Sequence, residues 1–203
     1  LRVIVEAAAA RDVPVEAHAH GDEGGRAAVL AGVRSIEHGT WLSDETLELM
    51  RERGTFLVPT YSTVVDLVEP GGDYDDPVLM VRGMHMLSRV AQTIRRARDI
   101  GVKVVTGADT SYGPMSVTRI SHEIAAFVEL GMSPLEAIQS ATLVAAELFR
   151  IESRTGAVEP GLEADLIVVQ GNPLEDIVAL QDVVVVISNG RVAMNRLPFA
   201  IEQ

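Results

Sequence analysis

The chain has 203 residues, 47% of them hydrophobic, a formal net charge of −12 and no cysteine. That length and apolar content suffice for one substantial core, or for a large domain with a small appendage. The acidic balance argues against general affinity for nucleic acid or an anionic membrane surface, and without thiolates any metal must be held by nitrogen and oxygen.

Residues 2–12 read as a helix by alanine content and spacing, and they lack a signal-peptide pattern. The opening at Leu1, mid-pattern, is what a partial sequence would give. "VPVEAHAH" (13–20) predicts a strand, "EGGRAAVLAG" (23–32) a short helix and "VRSIEHG" (33–39) a second strand. "SDETLELMRERG" (43–54) carries Ser43 as N-cap, acids in its first turn, arginines in its last and Gly54 after it. A third strand follows at 55–61. Residues 62–78, with Pro70, Gly71, Gly72, Pro77 and several acids, read as a long loop. A helix over 79–100, a fourth strand over 102–109 and, after another loop, two helices complete this part. The second of those helices starts at "SPLE", a capping box with Pro134 at the first helical position. Alternation at this spacing predicts βαβ units and a parallel sheet, an α/β fold. From about Thr155 the pattern becomes β-rich, and Asn189-Gly190 marks a two-residue hairpin. No apolar run is long enough to span a bilayer.

In parallel α/β folds, ligands bind beyond the carboxyl ends of the strands. Here those ends carry His18-Ala19-His20, Glu37-His38-Gly39, Pro59-Thr60-Tyr61 and Gly107-Ala108-Asp109-Thr110. Strand side chains alternate, so His18 and His20 share a face, while Glu37 is expected to turn away from His38 to the outer face. A lone strand-end histidine is more often a hydrogen-bonded structural residue, and Asp109 alone could cap a loop. Together, His18, His38 and Asp109 form a convergent nitrogen and oxygen set suited to zinc or a similar divalent metal. Such a metal polarises a carbonyl and activates water, and Asp109 could take and return the proton. His20 could simply face solvent, as could His85 and His122 on helices.

In order along the chain, "VEAHAHG", "GVRSIEHGT", "FLVPT", "VVTGADT", "SPLEAIQSATLVAAELF" and "GAVEPGLEADLIVVQGNPLEDI" resemble the carboxyl-terminal half of an amidohydrolase-superfamily enzyme. The branch it resembles is the imidazolonepropionase-related, Xaa-Pro dipeptidase (prolidase)-like one, and the resemblance covers essentially the whole chain. It implies strands five to eight of a (β/α)8 TIM barrel over residues 1–154, and part of a small β-sandwich over 155–203. His18 and His38 match the metal histidines of strands five and six. Asp109 matches the strand-eight aspartate, a metal ligand and the catalytic acid/base. His20 is implied to face substrate, where it could hydrogen-bond a carboxylate, and Tyr61 to line the substrate pocket or serve as a core aromatic.

The implied activity is hydrolysis of amide or peptide C–N bonds, with Xaa-Pro or Xaa-Arg dipeptides as candidate small-molecule substrates. One or two divalent metals, zinc first, a cytoplasmic setting and a homo-oligomer are implied for the intact enzyme, with no nucleic-acid or membrane partner. The family's strand-one His-x-His pair and strand-four lysine have no counterpart here; the one lysine, Lys103, starts the last barrel strand. The expectation is therefore a partial chain holding about half a metal site. The loop acids Asp66, Glu69, Asp73, Asp75 and Asp76 could favour a cationic substrate or simply be solvated. A cyclic-amide hydrolase or deaminase is the alternative, disfavoured for deaminases by Gly21, where they carry a glutamate. A metal-free scaffold or binding module is the alternative of another class.

Overall fold

The computed structural model describes residues 1–71, 76–109 and 119–197. Helix and strand alternate through α1 (Arg2–Ala9), β1 (Glu16–Gly21), α2 (Asp22–Ala31), β2 (Ser35–Trp41), α3 (Asp44–Arg53) and β3 (Phe56–Val58). The strands form one parallel sheet in the order β1-β2-β3, with His18 beside Glu37 and Glu37 beside Val58. Parallel neighbours need crossover connections, which α2 and α3 provide. Each crossover is bounded locally. Gly32 (φ 91°) ends α2, Ser43 accepts from the Thr46 N–H at the start of α3, and Gly54 (φ 66°) ends it.

Next come α4 (Tyr61–Asp66), α5 (Pro77–Ile100), α6 (Ile120–Glu129), α7 (Pro134–Ser140) and α8 (Leu143–Phe149). Asp76 caps α5 by accepting from the Val78 and Leu79 N–H groups, with Pro77 in the first turn, where its missing donor costs nothing. Val29, Ile36, Leu47, Met50, Leu57 and Ile94 fill the layer between the sheet and its helices. The other face of the sheet carries a smaller cluster of Phe56, Val58, Val105 and Leu148. Arg34 closes that cluster at the amino ends of the strands. Its guanidinium lies 4.6 Å over the Phe56 ring and donates to the Glu147 and Leu148 carbonyls at the end of α8. The histidines stand at the opposite, carboxyl ends.

The last part is a separate antiparallel sheet of β4 (Leu166–Val169), β5 (Val183–Ser188) and β6 (Arg191–Asn195), in that order, with a 3-10 turn at Ile177–Gln181. Asn189 (φ 49°) and Gly190 (φ 74°) make the expected hairpin turn between β5 and β6.

Four expectations change. The loop read over 62–78 begins with α4, and α5 starts at Pro77. The third strand shrinks to Phe56–Val58. The fourth strand reduces to a single parallel bridge between Leu57 and Val104, since no second described strand lies beyond it to extend the ladder. The helix from "SPLE" breaks into α7 and α8 at Thr142, which sits at φ −125°, ψ −93°. The loop acids Asp73 and Asp75 lie outside the described residues, as does Thr110.

Candidate metal centre

On β1, alternation sets His18 and His20 on one face, and their ring centroids are 4.7 Å apart. His38 reaches them differently. In the sheet register it lies beside Ala19, on the helix-packed face, and a regular strand would bury it there. Its backbone is left-handed (φ 70°), as is that of Gly39 (φ 59°), and the double turn swings the imidazole back. The His38 ring lies 4.5 Å from that of His18 and 4.7 Å from that of His20, nearly parallel to the latter at 20°. One ligand nitrogen from each ring falls within 4.8 Å of the others.

Two threonines hold the rings. His20 Nδ1 and Thr40 Oγ1 are 2.8 Å apart, and His38 Nδ1 and Thr60 Oγ1 2.7 Å apart. The Thr60 hydroxyl donates its hydrogen to the Pro59 carbonyl at 2.8 Å, so it accepts from the His38 Nδ1–H. That fixes the tautomer and leaves the Nε2 lone pair as the ligand of His38. Burial, with His20 and His18 alongside, pushes the His38 pKa down to about 4. Burial lowers that of His20 as well, with His18 adding to the effect and Asp109 opposing it. Both imidazoles are therefore neutral at neutral pH, the form that binds metal. This donor set fits a divalent transition metal.

Glu37 does not face outward as expected. It stands beside His18 in the register, on the same face of the sheet, and accepts from Ser35 Oγ at 2.6 Å. Burial pushes its pKa up to about 7, with Glu16 and Asp109 adding to the rise and the Ser35 bond opposing it. Asp109 is exposed, has φ 43° and acts electrostatically on His20 and Glu37. It stands at the rim, outside the three-histidine group. Two contacts fix the chain before it: Thr63 Oγ1 donates to the Ala108 carbonyl, and Gly107 packs so closely that a Cβ there would meet Val58 Cγ1 at 2.6 Å. Tyr61 opens α4 and lines a cavity of about 500 Å³ with Asp66, Leu87 and His122, a space the three histidines do not line.

Sequence reasoning also missed an aromatic flank. Trp41 lies 6.2 Å from His20, and His85, exposed as expected, lies 6.0 Å from Trp41. The one available signal was the position of Trp41 at the end of the strand that carries His38.

The sequence model of the Amidohydrolase family matches residues 1–193. A solved Xaa-Pro dipeptidase with methionine bound in its active site is 38% identical, with a TM-score of 0.86, over 96% of this chain and 48% of its own. A prolidase solved with N-methylphosphonate-L-proline is 33% identical, with a TM-score of 0.88, over 96% of this chain and 48% of its own. Ochratoxinase from Aspergillus niger is 33% identical over 183 residues, 90% of this chain and 38% of that protein. The chain thus spans half or less of the length of these relatives.

Proposed function

Because the chain belongs to the amidohydrolase family, we propose that it supplies part of a metal-dependent hydrolase of amide or peptide C–N bonds, with Xaa-Pro dipeptides as the first substrate class. The observation that carries this reading is the convergence of three imidazoles from β1 and β2, with the Nδ1 of His38 already committed to Thr60. The prolidase-like relatives support the dipeptide class. In this reading residues 1–154 are strands five to eight of a (β/α)8 barrel with their helices, and 155–203 part of a β-sandwich. The parallel order β1-β2-β3, followed by the Val104 bridge, supports the first assignment, and the antiparallel β4-β5-β6 sheet the second.

His18 and His38 hold the metal, zinc first, together with Asp109. A divalent metal there supplies Lewis-acid polarisation of the scissile carbonyl and lowers the pKa of water toward neutrality. Asp109, at the open rim, accepts the proton of the attacking water at its carboxylate and delivers it to the leaving nitrogen. His20 binds substrate: with the Thr40 hydroxyl donating to its Nδ1, its Nε2–H donates to a substrate carboxylate. Tyr61 is assigned to the substrate pocket because it lines the neighbouring cavity.

The test is hydrolysis of a dipeptide panel by the full-length protein, with metal content measured in parallel. Expected are Xaa-Pro cleavage lost on chelation, loss of metal in His38→Ala, and a raised KM with metal retained in His20→Ala. Asp109→Asn should weaken metal binding and lower kcat roughly 10²–10⁴-fold. Full activity after chelation, or in Asp109→Asn, would overturn the reading.

A further inference from the structure

A threonine that precedes a helix ordinarily turns its hydroxyl toward the first free N–H groups of that helix. Thr60 precedes α4 and does not. Its hydroxyl is occupied by His38 Nδ1 and the Pro59 carbonyl, and it makes no capping bond. Its backbone is also left-handed (φ 49°, ψ 44°), an outlier for a β-branched side chain that persists only where the surroundings hold it. Glu123, brought in by α6 and fully buried, takes over the vacant capping role. Its Oε1 accepts from the Tyr61 N–H at 2.9 Å and its Oε2 from the Ser62 N–H at 2.6 Å, the two amides that follow Thr60.

We infer that Glu123 is a positioning residue for His38. By capping α4 in place of Thr60, it releases and orients the Thr60 hydroxyl, which holds His38 as the Nδ1–H tautomer with Nε2 toward the metal. The inference rests on the proposed metal role of His38. A glutamine at 123 cannot do the same work, because its amide nitrogen sets a donor against one of the two N–H groups.

The experiment compares wild type with Glu123→Gln, Glu123→Asp, Thr60→Val, Thr60→Ser and the double variant Glu123→Gln/Thr60→Val. It reads Zn²⁺ affinity by chelator competition, and the His38 tautomer by ring ¹⁵N NMR without metal. Glu123→Gln and Thr60→Val should each weaken Zn²⁺ binding roughly 10–100-fold and mix the tautomers. Thr60→Ser should restore both, and the double variant should bind no more weakly than the weaker single one. Glu123→Asp, which keeps a carboxylate but reaches less far, should shift both readouts in the same direction; it carries the test if the glutamine variant does not fold. A folded Glu123 variant with wild-type affinity and tautomer would overturn the inference, as would additive losses in the double variant. Unchanged Zn²⁺ binding in His38→Ala would instead overturn the metal role, while the tautomer measurement still decides whether Glu123 acts on His38.

Discussion

In β2 the register sets His38 beside the buried Ala19, so strict alternation would point its ring into the helix layer. Two consecutive left-handed residues, His38 and Gly39, turn it to the other side, where Glu37 already stands beside His18. That explains what was legible. The pair His18 and His20 follows from a period of two. The convergence of His38 follows from no periodicity and was reached through strand ends and resemblance, and the same gap sent Glu37 to the wrong face. Gly39 is where this turn can be tested. A Cβ there would lie 2.7 Å from Leu57 Cδ1 and 2.9 Å from Leu42 Cδ1, at φ 59°. Gly39→Ala should therefore cost about 2–4 kcal/mol, from left-handed backbone strain and crowding together. It should also weaken metal binding, because the His38 backbone shifts with it. A urea midpoint equal to wild type would contradict this account.

At the scale of elements, caps and glycines made α2, α3 and α7 readable, whereas α4 was hidden. "YSTVVD" is rich in β-branched residues and sits before Pro70 and Gly71, so local propensity says loop. The helix forms because Glu123, more than fifty residues later, caps it, a contact no local window contains. That burial also has a pH signature. Desolvation pushes the Glu123 carboxyl from 4.5 up to about 7, against the hydrogen bonds from Ser62 and Tyr61. The folded protein thus keeps a proton that the unfolded chain releases between those values. The stability this proton provides is present in full below the lower value and is lost as pH rises through about 7. The loss amounts to ~3 kcal/mol. Glu123→Gln cannot titrate, so the difference between wild-type and variant unfolding free energies should slope downward from pH 5 to pH 8. A flat difference would show that Glu123 is not held protonated.

At the scale of the whole molecule, the alternation of strand and helix and the change to antiparallel sheet near residue 155 were both legible, because they are periodic signals. How the parallel sheet is completed was not. Among the described residues β1 has no partner on its outer side, and Val3 and Ile4 of α1 are 74% and 59% exposed. The candidate ligands stand where this sheet has least support. His18 comes from β1, His38 from β2, and Asp109 from the segment bridged to β3. A cation bound by them would join neighbouring stretches at one end of the sheet, so its binding energy adds to folding energy. Free Zn²⁺ at a hundred times its Kd should raise the unfolding free energy by about 2.7 kcal/mol. For a chain of this size that corresponds to a Tm increase of roughly 5–10 °C. EDTA should reverse the increase and His38→Ala should abolish it, as read by thermal denaturation at fixed protein concentration. An equal increase in His38→Ala would place the ion elsewhere, and no increase in wild type would mean that these imidazoles do not bind zinc.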